Sequence, residues 1–146
     1  MKKLKNFFNK LIFKYIYISI FIFLIPVFFI DRKLDSFRVF LSNSGNISSL
    51  AEISGTFIGF LLTVATIYFS IPSESKFKKW FVKYGHNKIF IKIILFGIIC
   101  FMVPIASWIF NCNIMSYVAL YSFIAGCLEV LVAVYYLYHL IIKNPL

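Results

Sequence analysis

Two carboxylates and a run of hydroxyls stand out in a sequence dominated by apolar side chains. Advancing by about 100° per residue from Glu52 around a helix, Gly55, Thr56, Gly59, Thr63, Thr66 and Ser70 all fall within about 60° of it. One face is therefore small and polar from end to end, while Phe57, Ile58, Phe60, Leu61 and Tyr68 make the other side bulky. Small residues let helix backbones approach, and Gly55-Thr56-Phe57-Ile58-Gly59 is a GxxxG pattern, so helix packing is one reading. The other is an ion path, in which several copies turn the stripe inward, hydroxyls replace part of an ion's water shell, and Glu52 stands at the mouth. The two are compatible, because pore-lining helices also pack.

Glu129 is the second feature. Ser122, Ala125, Gly126, Ala133 and Tyr136 lie on its side of a helix, and it falls close to the middle of a long apolar run. A carboxylate at that depth is costly unless paired, hydrated or protonated, so the readings are a neutral hydrogen-bonding glue, ion coordination or a proton relay. No Lys, Arg or His is placed at this depth to neutralise it; His139 comes about three turns later. Counted from the outer ends of their runs, Thr63 and Glu129 reach similar depths, which allows the two polar faces to meet inside one bundle.

The third feature is basic. After Pro72, Ser73 can cap a helix with Phe77, Trp80, Phe81 and Tyr84 in one stripe, Lys76, Lys79 and Lys83 beside it, Gly85 as its stop and Lys88 beyond. Such a helix can lie in the membrane surface with its aromatics dipping into the interface. It can also receive an anionic ligand, since clustered lysines neutralise phosphates and aromatic rings stack on bases. A nucleotide or single-stranded oligonucleotide is then the expected ligand, in competition with lipid headgroups.

Enzymatic chemistry finds little footing. There are two histidines, no His/Cys/Asp cluster, no phosphate-cradling glycine loop and no paired carboxylates in one segment, so neither catalytic residues nor a cofactor is expected. Cys100, Cys112 and Cys127 suggest neither a disulfide framework nor a metal site.

The elements that must position these residues are membrane spans. The chain has 146 residues, is 62% hydrophobic, and holds 19 Phe against five acidic side chains, too little polar surface to cover a water-soluble globule. About 20 apolar residues cross the hydrocarbon layer as a helix. Four runs qualify, at about 11–30, 51–71, 90–110 and 114–142, so residues 1–146 are expected to form a single all-α transmembrane domain with a basic loop at 72–88. The first run reads as a retained signal anchor, because no small-x-small cleavage site follows it. Short interfacial helices are expected in the tail, where Leu4, Phe7, Phe8, Leu11, Ile12 and Tyr15 recur at helical spacing, and outside, at Leu34, Phe37, Phe40 and Leu41.

Charge orients the spans. Of the 15 Lys and Arg residues, twelve belong to the tail, the 72–92 region and Lys143, and three to the loop after the first span. Basic loops resist translocation, so both termini and the basic loop are expected in the cytoplasm, the protein being a multi-pass resident of the cell's inner (cytoplasmic) membrane. Trp108 and Tyr117 are then expected at the outer interface, and Tyr68, Tyr135, Tyr136 and Tyr138 at the inner one.

The stretch Ala51-Glu52-Ile53-Ser54-Gly55-Thr56-Phe57-Ile58-Gly59-Phe60-Leu61-Leu62, its Ile71-Pro72 exit and the short basic helix behind it resemble the small multi-pass membrane effectors of bacterial antiphage systems, the Hailong-type transmembrane effectors among them. That resemblance implies a homo-oligomeric channel that depolarises the infected cell, gated by a nucleotide or oligonucleotide signal from a partner enzyme. Four-helix multidrug exporters are similar in size but carry their carboxylate in the first span, which here has none. The leading expectation is a pore-forming or ion-conducting oligomer controlled from the cytoplasm. The alternatives are a small proton-coupled transporter, a non-conducting helper subunit and a holin-like lesion protein.

Overall fold

The structure, a computed structural model, describes residues 25, 26, 29, 36–41, 43–83, 85–110 and 113–142. Among these, all regular structure is helical: α1 (Ser36–Leu41), α2 (Ser44–Ser70), α3 (Lys76–Lys83), α4 (His86–Phe110) and α5 (Asn113–Ile142). Three stretches, Gly45–Ser70, His86–Phe110 and Met115–Tyr138, are long and apolar enough to cross a membrane. The chain is thus a multi-pass membrane protein, helical throughout its described regular structure. The expected first span at 11–30 lies outside the described residues except for Ile25, Pro26 and Phe29, and the amphipathic tail before it lies outside them entirely.

Helix ends follow their caps rather than the apolar runs. α2 begins at Ser44, well before the expected 51, because Asn43 is its N-cap: the Asn43 side-chain oxygen accepts from the Gly45 N–H at 3.1 Å. α4 begins at His86 rather than 90. In α3 the cap is Ser75, not Ser73; its Oγ accepts from the Lys78 N–H at 3.1 Å. Gly85 does end that helix, at φ +73°, a left-handed conformation in which a β-carbon is strained, with its N–H donating to the Val82 carbonyl at 3.0 Å.

α4 and α5 form an antiparallel hairpin, and α2 lies against both. The contacts between the helices are apolar: Leu61, Val64 and Tyr68 from α2, Phe81 from α3, Phe90, Ile93, Ile94 and Phe101 from α4, and Val130, Ala133 and Tyr136 from α5. Without a hydrophobic force between helices in lipid, close fit supplies the attraction. Two glycines create that fit. A β-carbon on Gly126 would sit 2.8 Å from the Phe101 ring, and one on Gly97 would sit 2.8 Å from a Leu61 methyl. Phe101 also stacks on Phe57 of α2 at 5.1 Å, joining the three helices. Tyr68 and Tyr136 are buried in this core, whereas Tyr135, Tyr138, Trp108 and Tyr117 are exposed.

Pro104 stands inside α4 and is buried. Having no N–H, it leaves the carbonyl four residues earlier, that of Cys100, without its helical donor. Ser122 of α5 donates its hydroxyl to that carbonyl at 2.8 Å, so a backbone group freed inside the membrane is satisfied across the hairpin. Ser122→Ala is expected to lower stability by about 1 kcal/mol. In a Pro104→Ala background, where an N–H again reaches the carbonyl, the same change is expected to cost much less. Thermal melting of the four proteins in detergent measures that coupling, and equal costs in both backgrounds would refute it.

Candidate functional site

The polar stripe of α2 faces outward. Glu52, Gly55, Thr56, Gly59, Thr63, Thr66 and Ser70 are all exposed, whereas Leu50, Ala51, Ser54, Leu61, Val64 and Tyr68 are buried against the other helices. Of the two faces read from the sequence the small one is unpacked, and Phe60 of the bulky one is exposed too. Which one packs is decided by volume: Leu61 fills the notch at Gly97 and Phe57 meets Phe101, contacts that glycine and threonine cannot supply. Among the described residues, nothing lies near the position of a β-carbon on Gly55 or Gly59, so no described element covers their side of α2.

The hydroxyls on this face share one arrangement. Thr56 donates to the Glu52 carbonyl at 3.3 Å, Thr63 to Gly59 at 2.9 Å, Thr66 to Leu62 at 2.9 Å and Ser70 to Thr66 at 2.8 Å. With its only hydrogen turned back to the helix, each hydroxyl presents lone pairs outward. At the far end Glu52 accepts from the Ser48 hydroxyl at 3.4 Å and lines a shallow groove with Ser48, Ala51, Ile105 and Trp108.

Glu129 faces the other way. It is 1% exposed, with Ser122 half-buried and Ala125, Gly126, Ala133 and Tyr136 buried on the same side of α5. Among the described residues, neither carboxylate oxygen has a hydrogen-bond partner. The two polar faces therefore do not meet within one chain: the Glu129 stem packs beside Gly97 and Leu61, on the side of α2 away from Thr63. An ionised group in the centre of a span costs about 3 kcal/mol even on lenient scales, so this carboxyl fits its surroundings as the neutral acid.

α3 is docked rather than free. Phe81 is 3% exposed, with its ring 5.7 Å from Tyr68, 5.6 Å from His86 and 6.2 Å from both Phe90 and Tyr136. Lys78 donates to the Ile71 carbonyl at 2.5 Å and lies over the Tyr68 ring at 5.6 Å, covering the carbonyl end of α2 where cations are favoured. Of the lysines expected to bind an anion, Lys79, Lys83 and Lys88 are exposed. Tyr84 and the side chains of Lys76 and Trp80 lie outside the described residues. Phe81 is withdrawn from the expected stacking stripe, because Tyr68, Phe90 and Tyr136 offer it a dry aromatic pocket.

Lys78, Gly97 and Leu61 were not among the expected functional positions, and Phe81 was expected to stack on a ligand rather than to anchor the helix. For Lys78 a signal existed, a lysine one turn into a helix that follows a tight Pro72 exit, close to orphaned carbonyls. For Gly97 and Leu61 there was none, since a lone glycine and a lone leucine in apolar helices carry no pattern. Comparison with known protein families, with characterised proteins and with solved structures finds no match.

Proposed function

We propose that this chain assembles as a homo-oligomer into a cation-conducting pore of the inner membrane, opened from the side that bears α3 by an anionic nucleotide or oligonucleotide. The observation that carries the reading is the exposed face of α2, where outward lone pairs on Thr56, Thr63, Thr66 and Ser70 are joined by Glu52 at one end. A surface of acceptors suits a partly dehydrated cation and offers an anion no donor. Open space at Gly55 and Gly59 favours close approach of another helix, and several copies of α2 around an axis would close the wall that one copy begins.

The remaining parts of the reading rest on charge and resemblance. The excess of lysine around α3 and in the tail supports four spans with both termini and α3 in the cytoplasm. Exposed Lys79, Lys83 and Lys88, repeated around the axis, would sum weak phosphate contacts into useful affinity. The resemblance to antiphage effectors supplies the setting, a channel that depolarises the infected cell. The buried carboxyl of Glu129 favours a second reading, a small proton-coupled transporter.

Purified protein in a planar bilayer tests this. The expected result is stepwise current whose reversal potential follows the cation gradient, raised by short single-stranded oligonucleotides or cyclic nucleotides. Lys79→Gln with Lys83→Gln is expected to weaken that response and to flatten its salt dependence. Proton flux driven by a substrate, without current steps, would give the transporter instead. Silence under every ligand would leave a helper subunit.

A further inference from the structure

We propose that Glu129 is a proton-binding site that secures α2 against the α4–α5 hairpin while the carboxyl is neutral and lets it go when the carboxyl ionises. The catch lies within a single chain and does not depend on conduction or on a nucleotide.

Its parts meet over one glycine. A β-carbon on Gly97 would lie 3.4 Å from the Glu129 β-carbon and 2.8 Å from a Leu61 methyl, so the carboxyl's stem and the leucine share the same notch in α4. Leu61 is fully buried and Glu129 is 1% exposed. Among the described residues both Glu129 oxygens are without a partner, as are the hydroxyls of Ser54, Ser107 and Tyr136 elsewhere in the interior. Among the described residues, the titratable groups facing this interior are Tyr68 on α2, Cys100 on α4, and Cys127 and Tyr136 on α5. His86, Lys88 and Lys92 stand on the first two turns of α4, Lys78 holds the end of α2, and Glu52 is at the opposite end of that helix. None of them bonds the carboxyl.

Such a pocket accepts a neutral acid and rejects an anion, which needs water or a cation beside it. Admitting either means moving one wall. α4 and α5 are tied to each other by the Ser122 hydrogen bond, by Phe101 seated on Gly126 and by a short connection. α2 meets the pair through apolar contacts, Phe57 on Phe101, Leu61 in the notch and Tyr68 on Phe90, so it is the wall that can leave. Should the outer face of α2 line a pore, which rests on the function proposed above, its position would then follow pH.

Two measurements in membranes test the catch. Dicyclohexylcarbodiimide, which modifies neutral carboxyls in apolar surroundings, is expected to add once, at Glu129, and less as pH rises. In a Cys100→Ala, Cys112→Ser, Cys127→Ala background, Val64→Cys places a thiol on the buried face of α2, and a water-soluble maleimide reports water reaching it. As pH is raised, the labelling rate relative to the same probe with Glu129→Gln is expected to rise, because an ionised carboxyl needs water beside it. Glu129→Leu, also uncharged, is expected to match Glu129→Gln. The same pH response with and without Glu129, or no adduct at low pH, would overturn the proposal. Neither readout uses current, so a silent bilayer would sink the channel and leave the catch standing.

Discussion

Gly126→Leu is expected to prevent the α4–α5 hairpin from closing, whereas Gly59→Leu is expected to leave the single chain folded. At Gly126 even a β-carbon would lie within 3.0 Å of three atoms of the Phe101 ring. That ring is itself held by Phe57 at 5.1 Å and Phe123 at 5.7 Å, so it has little room to yield. Overpacking of this kind costs about 3 kcal/mol or more. Gly126→Ala should fall between, and Gly97→Ala should be milder because the opposing atom is the end of a flexible leucine. Among the described residues Gly59 meets nothing within 4 Å, and leucine is a better helix former than glycine by about 0.8 kcal/mol. Its effect should be confined to assembly. Melting temperature and native mass spectrometry separate the two outcomes: loss of fold for Gly126→Leu, and loss of oligomer with the melting temperature kept for Gly59→Leu. A Gly59→Leu protein that still assembles would remove α2 from the interface.

Phe81→Ala is expected to undock α3 and to abolish ligand control while every lysine remains. Its ring fills a pocket made by Tyr68, His86, Phe90 and Tyr136, one residue from each of α2 and α5 and two from α4. Truncating a buried phenylalanine costs about 3 to 5 kcal/mol, and here much of that falls on one short helix. Hydrogen exchange should show the amides of Lys76–Lys83 losing protection ahead of those of α4 and α5. In the bilayer assay the nucleotide response should vanish without a change in unit conductance. A response that survives would mean that the lysines act from an undocked segment.

The elements were largely legible in the sequence, and the way they face one another was not. Uncharged runs announce spans, and a proline, a serine and a glycine bracket α3 to within two residues. The two faces of α2 were visible too, but periodicity cannot say which of them meets a neighbour. That depended on Leu61 matching Gly97, a pairing of volumes across separate helices. Ser122 shows the same limit. On the sequence it belongs to a polar face with Glu129, yet in the fold it answers a carbonyl stranded by a proline on the next helix. Phe81 was read as part of a uniform aromatic stripe, while burial divides that helix into residues that anchor and residues that remain available.

The caps and charges at the helix ends also set a length. In α2 the residues between Glu52 and the serine at its end, 53–70, rise about 27 Å, and in α4 those after Lys92, 93–110, rise the same distance. Both are a few ångströms short of the roughly 30 Å typical of bilayer hydrocarbon. α5 is longer, its Met115–Tyr138 stretch rising about 36 Å, so it is through α2 and α4 alone that the protein suits a thin membrane. In a thicker one its lysines and Glu52 would have to reach farther for water or draw the lipid inward around them, a penalty that neighbouring copies could share by clustering.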